Sequence, residues 1–389
     1  MKIVHICLAG SYNDNWNYQD NIIPKYHKIA GHDVTVITSI FINSKNNVGY
    51  EKVSPGEYFL ENGVKIIRIP FIKFILNNVV EKLRLYQGTY EKLELEKPDF
   101  IFIHGLQFLD IYQVVKYLRK NRRVKVVVDN HADFSNSARN FLSRNILHKV
   151  IWRYCAQLIE PYTTRFYGVL PARVDFLKTV YKLPEEKVEL LVMGADDEKV
   201  KEARNENVKK EIREKYNIKP DDFLIITGGK IDNAKKQTLL LMEAVKKIKS
   251  DKVKLIVFGS VIEDLKDEVN ILADGEKVQY IGWIPADKTY NYFAAADLAV
   301  FPGRHSVFWE QVVGLGIPMI VKYWEGTTHV DVGGNCIFLY KDSEEEIREK
   351  ILYLIDNPEV YKKMKDVAEK NGIKKFSYSS IANQSINVN

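Results

Sequence analysis

A chain of 389 residues with 46% apolar and 28% charged side chains is an ordinary globular protein, long for a single core, so two domains are expected. Its three cysteines, Cys7, Cys155 and Cys336, are too few and too far apart for a disulfide framework or a cysteine metal site. No apolar run reaches the roughly 18–20 residues that span a bilayer. The net charge of +6 belongs to residues 1–195, with 27 Lys and Arg against 19 Asp and Glu, whereas residues 196–389 carry 30 against 32. A basic half suits an anionic acceptor or membrane surface; with no accompanying motif, nucleic acid is not an expected partner.

The opening MKIVHICLAG has an apolar stretch too short for a secretory signal and reads as a first β-strand; with the cysteine usage it points to the cytoplasm. Further strands are expected at 34–39, 64–70, 100–104, 125–130, 166–170 and 190–193, with helices near 18–30, 79–96, 110–120 and 140–159. Residues 196–220 are highly charged and lack a strand; they predict a surface helix beginning at a domain junction near 194–197. Strands follow at 223–227, 254–258, 278–281, 298–301, 319–321 and 336–339, with helices near 236–249, 262–273, 286–296 and 307–315. Many of these strands are unbroken runs of Val, Ile, Leu and Phe, which fit burial on both faces of a parallel sheet. The alternation predicts an α/β protein of two Rossmann-like, doubly wound domains, 1–195 and 196–372, with ligands at the carboxyl ends of the strands in an interdomain cleft. A tail, 373–389, crosses back to the first domain or frays.

Chemistry-bearing residues cluster at predicted strand ends. In FPGRHSVFWEQVVGLGIPMIV, from Phe301, a buried strand leads through a turn with Gly303 into a helix starting near Ser306. A helix start offers free N–H groups to a diphosphate, here near Ser306, Val307 and Phe308. Glu310, one turn in, can accept hydrogen bonds from sugar or ribose hydroxyls. Strand 223–227 ends in Gly228 and Gly229, which allow a tight turn, and Lys230 follows. Lys235 and Lys236 open the next helix, where cations oppose the helix dipole unless an anion lies between them. Asp129, Asn130 and His131 end a first-domain strand, with Asp133 close by to orient His131 or bind acceptor hydroxyls. The first strand–helix loop runs from Gly10 to Asn21. Its mix of aromatic, amide and acidic groups suits a saccharide, with Trp16, Gln19 and Asp20 as binding candidates and Gly10 allowing close approach. Basic-aromatic helices at 73–85, 116–123 and 139–153 suit an anionic membrane surface or a core-facing helix with a basic outer face. In the last, Phe141, Ile146, Val150 and Tyr154 recur at helical spacing among Arg144, His148, Lys149 and Arg153.

On the segments GSYNDNWNYQDNIIPKYHKIAGHDVTVIT, DNHADF, MGAD, GGKIDNAKKQ, YIGWIP and FPGRHSVFWEQVVGLGIP, nearly the whole chain resembles a family 4 glycosyltransferase of GT-B fold, of the bacterial surface-polysaccharide type. The resemblance implies a donor diphosphate held by two cations. Lys230 stands where the family usually has Arg, and either Lys235 or Lys236 is the second. It implies that Glu310 is the second of the family's two motif glutamates and holds the ribose. The first glutamate is missing from a shorter loop, and Arg304, His305 and backbone amides take its place. Trp283, in YIGWIP, joins the donor-binding set, and His131 lies near the donor sugar. The implied reaction is transfer of a hexosyl group with retention from a nucleotide sugar, a UDP-sugar favoured, without a metal or other cofactor. The implied acceptor is a saccharide, including one on a polyprenyl diphosphate carrier, reached at the inner face of the cell membrane. The alternatives are a GT-B nucleotide-sugar epimerase, which would need a carboxylate-rich base set around the sugar, and a non-catalytic sugar-nucleotide or glycan-binding protein.

Overall fold

The structure, a computed structural model, describes residues 1–44, 49–73 and 77–388. The chain divides into two compact units, Met1–Val192 together with the residues from Ile381 onward, and Met193–Ser380. The junction thus falls at Val192/Met193. Of the segment expected as a tail from 373, residues 373–380 belong to the second unit and only those from 381 to the first.

The first unit holds β1 (Lys2–Cys7), β2 (Asp33–Ser39), β3 (Phe41–Asn43), β4 (Tyr50–Lys52), β5 (Gly56–Phe59), β6 (Lys65–Ile69), β7 (Phe100–His104), β8 (Lys125–Asn130), β9 (Arg165–Gly168) and β10 (Val188–Leu190). Eight of them form one sheet in the order β10-β9-β8-β7-β1-β2-β6-β5. Every pairing is parallel except β5 with β6. The central strands are buried on both faces, as their apolar runs predict: Ile3, Val4 and Ile6 of β1 and Phe102 and Ile103 of β7 have no exposed surface. The antiparallel edge β5 and the separate β3–β4 pair were not expected. They are short and partly exposed, so no apolar run marks them in the sequence.

The second unit is a parallel sheet of β11 (Phe223–Gly228), β12 (Val253–Phe258), β13 (Val278–Tyr280), β14 (Leu298–Phe301), β15 (Met319–Lys322) and β16 (Cys336–Leu339), ordered β13-β12-β11-β14-β15-β16. Counted within the unit this is 3-2-1-4-5-6, the order of dinucleotide-binding sheets, and the direction of winding reverses between β11 and β14. Ligands of such sheets bind beyond the carboxyl ends at that reversal. Here it places the ends of β11 and β14, Gly228 and Phe301, side by side.

Several helices depart from expectation. The helix expected at 79–96 is two, Asn77–Leu83 and Thr89–Glu96, because Arg84 and Gly88 adopt left-handed backbone (φ 57° and 97°). The 140–159 segment begins with wide π-helical turns over Ser143–Trp152 before the α-helix Arg153–Ile159. The charged stretch after 196 makes two helices, Asp197–Ala203 and Glu206–Lys215, whose first turns are capped by the Asp196 and Asn205 side chains. Helices Pro171–Thr179 and Glu344–Asp356 were not expected. The basic stretch 73–85 lies partly outside the described residues.

Candidate functional site

In the second unit a crevice opens at the reversal between β11 and β14. Its walls include Gly228, Gly229, Lys230, Lys235, Arg304 and Ser306. Glycines are required here by contact as well as by conformation. A Cβ on Gly228 would fall 2.1 Å from the Phe258 ring. One on Gly259 (φ 131°) would fall 1.8 Å from the Gly229 carbonyl oxygen. The loops after β11 and β12 are laced together by Gly229 N–H to Phe258 O (3.0 Å) and Ile231 N–H to Ser260 O (2.8 Å). These bonds fix where Lys230 leaves the strand. Beneath them pack Phe258, Phe293 and Phe308, with ring centroids 5.2–5.7 Å apart.

Three cations and no carboxylate line the crevice. Lys230 is exposed, with its Nζ 3.8 Å from Asp232. Lys235 is half-buried; burial lowers its pKa, Asp232 opposes the shift, and the Arg304 charge adds to it. Lys236 is exposed and lies outside the lining, as does Trp283, which is 70% exposed in the loop after β13.

Glu310 sits in the first turn of the short helix Phe308–Gly314, whose N-cap residue is Val307; Trp309 N–H there donates to Ser306 O (3.0 Å). Glu310 has no exposed surface and does not line the crevice. Its Oε1 accepts from His305 Nε2 (2.7 Å) and His329 Nε2 (2.8 Å), while Oε2 has no hydrogen-bond partner. Burial alone would raise this carboxyl's pKa; the two imidazoles hold it well below the ordinary carboxylate range. The two nitrogens and the carboxylate lie within 4.8 Å of one another, a set that could hold a metal ion. Both N···O separations are nevertheless hydrogen-bond lengths, which makes the imidazoles donors to Glu310. His329 was not identified from sequence. It lies in the turn Thr328–Val330, with no motif to mark it. Trp309 is fully buried against Phe301 and His305, a packing residue.

In the first unit the end of β8 carries Asp129, Asn130 and His131. Asp129 is fully buried; its Oδ2 meets His104 Nδ1 at 2.8 Å and His131 Nε2 at 3.3 Å. His131 keeps about 40% of its side chain exposed. Asp133, expected to orient His131, does not. Its Oδ1 accepts from Ser135 N–H and Oγ–H and its Oδ2 from Arg173 Nε (3.1 Å), so it closes its own turn. The residue that orients His131 is Asp129. Gln19 is 3% exposed and points Nε2 at Asp129 Oδ2 (3.5 Å), so it joins this buried group and leaves the loop surface. Burial raises the Asp20 carboxyl, with His104 and His131 pulling the other way. Trp16 packs edge-on against Tyr18. Gly10 opens onto a separate cavity lined also by Phe41, Tyr50, Lys82, Arg84 and Tyr86. With Gly10 they come from three distant stretches, and nothing in the sequence joins them.

Residues 208–371, most of the second unit, match the family Glycosyl transferases group 1. Alpha-monoglucosyldiacylglycerol synthase of Streptococcus pneumoniae is 24% identical over 245 residues, 61% of this chain and 54% of that protein, so the matched segment spans about half of the relative's length. A glycosyltransferase from Rickettsia africae has a similar structure, with a TM-score of 0.64 at 15% identity, over 98% of this chain and 96% of that one. Anabaena Alr3699/HepE, solved in complex with UDP, aligns with a TM-score of 0.65 at 13% identity, over 99% and 98% of the two chains. The chain thus has the two-unit α/β fold of GT-B glycosyltransferases, and its second unit matches the Glycosyl transferases group 1 family.

Proposed function

We propose that this protein is a retaining hexosyltransferase, moving a sugar from a UDP-sugar to a saccharide or lipid-linked saccharide acceptor in the synthesis of a bacterial surface polysaccharide or glycan. The observation that carries the reading is the crevice at the sheet reversal, inside the family-matched segment, lined by Lys230, Lys235 and Arg304 without a carboxylate. Departure of a nucleoside diphosphate concentrates negative charge on its oxygens, and cations already in place stabilise it without reorganisation. Crowding Lys235 against Arg304 in a half-buried crevice is unfavourable until an anion lies between them. Of the two candidate lysines, Lys235 is therefore the second donor cation.

Glu310 Oε2, buried and without a donor, is the acceptor for the ribose hydroxyls, and His305 and His329 hold the carboxylate for it. Where family 4 members have a first glutamate, His305 supports the second. No metal takes part, and the diphosphate itself takes the acceptor hydroxyl's proton. The acceptor belongs to the first unit, with His131 and the Gly10 loop as its contacts. That unit also touches an anionic membrane surface through residues 141–154. Phe141, Leu142, Ile146, Val150 and Tyr154 are each 46–79% exposed there, with Arg144 and Lys149 exposed beside them.

Calorimetric titration of UDP, GDP and ADP tests the donor site. UDP is expected to bind, with affinity roughly 10- to 100-fold lower in Lys235→Ala and in Glu310→Ala, the loss of one charge-assisted hydrogen bond in each. Because a bound diphosphate favours protonated Lys235, affinity should fall as pH rises through that lysine's depressed pKa. Binding of no nucleotide would overturn the transferase reading in favour of a glycan-binding protein.

A further inference from the structure

A chain of buried imidazoles crosses the first unit beneath His131. It runs from His27, in the helix Gln19–Ile29, through His5 on β1 and His104 on β7 to Asp129 on β8; His5 and Asp129 have no exposed surface, and His27 and His104 have at most 6%. His27 Nε2 lies 2.9 Å from Ala382 O, His27 Nδ1 3.1 Å from His5 Nε2, His5 Nδ1 2.9 Å from His104 Nε2, and His104 Nδ1 2.8 Å from Asp129 Oδ2. The His5 and His104 rings are nearly parallel, 16° apart.

The chain is bounded by acceptors at both ends. A carbonyl oxygen only accepts, so His27 Nε2 carries a proton, and neutral His27 then offers Nδ1 as an acceptor. The Ser385 hydroxyl, 3.2 Å from the same His27 nitrogen, donates to Ala382 O (2.7 Å) and so cannot reverse this order. His5 must donate from Nε2 and accept at Nδ1, and His104 must donate from Nε2. His104 Nδ1 now faces a carboxylate oxygen. Four hydrogen bonds require four protons, and three neutral imidazoles supply three.

We propose that the chain holds a fourth proton, as a His104 imidazolium paired with the Asp129 carboxylate, and that His5, His27 and His104 are positioning residues that fix Asp129 on His131. The location follows from burial. Desolvation, with the neighbouring histidines, pushes His5 down, and it pushes His27 down to about 4, so neither keeps an added proton. Burial would raise Asp129, but His104 and His131 hold it well below the ordinary carboxylate range. The other titratable groups facing the chain are Asp20 and Cys7 beside Asp129, His131 beyond it, and His32 against His27. Loss of the fourth proton leaves one of the four links without a hydrogen. Where that link is His104 to Asp129, the carboxylate is left to the longer contacts from His131 and Gln19. The catalytic consequence rests on the transferase reading; the proton count does not.

Nitrogen NMR of the full chain labelled with 15N-histidine tests the count at pH 7.5. Both His104 nitrogens are expected to be protonated, with His5 and His27 protonated at Nε2 alone. In His5→Phe, which removes the acceptor of His104 Nε2, His104 should revert to one proton. A singly protonated His104 in the native chain overturns the proposal, whatever the variant does. Turnover of a UDP-sugar is the second readout. His104→Phe, which removes the donor to Asp129, is expected to lower kcat roughly 10- to 100-fold through misplacement of His131, with UDP affinity unchanged, whereas His5→Phe, which leaves His104 Nδ1 donating to Asp129, should change kcat less. If His104 is doubly protonated and no donor turns over, the transferase reading fails and the chain stands. If a donor turns over with His104 singly protonated, the reverse holds.

Discussion

Glu310 and Asp129, one in each unit, are fully buried carboxylates that stay ionised because imidazoles donate to them. Asp110 shows what burial does without such help. It precedes the helix Ile111–Lys120, accepts from the Thr89 hydroxyl at one oxygen, and has no partner at the other; burial pushes its pKa up to about 7. Between the unfolded value, about 4, and 7, the folded state binds the extra proton, so stability falls as pH rises through that window. Asp110→Asn, which mimics the protonated carboxyl, should remove this slope and raise the melting temperature at pH 8 by about 5 °C, with little change at pH 4; thermal melts across pH decide. The crevice residues most legible in sequence were Lys230 and Arg304, each directly after a glycine at a strand end, where turn chemistry marks the position; Lys235 and His131 were legible only as polar groups close behind a strand end. Partners brought from elsewhere were not. His329 reaches Glu310 from 19 positions away and His104 reaches Asp129 from 25, while Asp129 and Asp133 stand equally near His131 in sequence, so spacing could not choose between them.

At the scale of elements, long apolar strands were readable because burial on both faces leaves no other composition possible, and β7, β8, β14 and β16 begin and end where expected. Where conformation rests on one backbone angle, as at Arg84 and Gly88, periodicity runs through the break unmarked. The basic-aromatic stretch after Arg139 shows the limit of pattern alone. Its spacing fits either a core-facing or a surface-facing stripe. The structure buries His148, Trp152 and Cys155 and leaves Leu142, Ile146, Val150 and Tyr154 outside. Replacing Leu142 and Val150 together by Ser removes mostly exposed apolar surface. Melting should fall by no more than about 2–4 °C, while binding to anionic phospholipid vesicles, measured by co-sedimentation, should fall roughly tenfold or more. Equal binding by the variant would remove the membrane from the proposal.

At the scale of the whole molecule, the junction was legible within a few residues because a highly charged stretch interrupts the strand–helix alternation. The return of the chain was not: IANQSINVN, from Ile381, has too few apolar residues to announce a core position. Ile381, Ala382 and Ile386 are nevertheless buried, His27 and Lys125 donate to Ala382 O and Val388 O, and Ser385 has no exposed surface. Removing the residues from 381 onward should lower the melting transition of the first unit and leave that of the second in place, as followed by calorimetry. A single transition shifted as a whole would contradict independent units.

That return sets an order of events during synthesis. The first unit is the first to leave the ribosome, yet it lacks its closing segment, and the His27 end of the imidazole chain lacks its acceptor, until Ala382 has emerged. The second unit is complete at Ser380, so the first unit, although made first, is the last to close. A chain cut short between Ser380 and Ala382 would carry the second unit and its crevice entire, with the first unit lacking its closing segment, and proteases that attack unfinished domains would single it out.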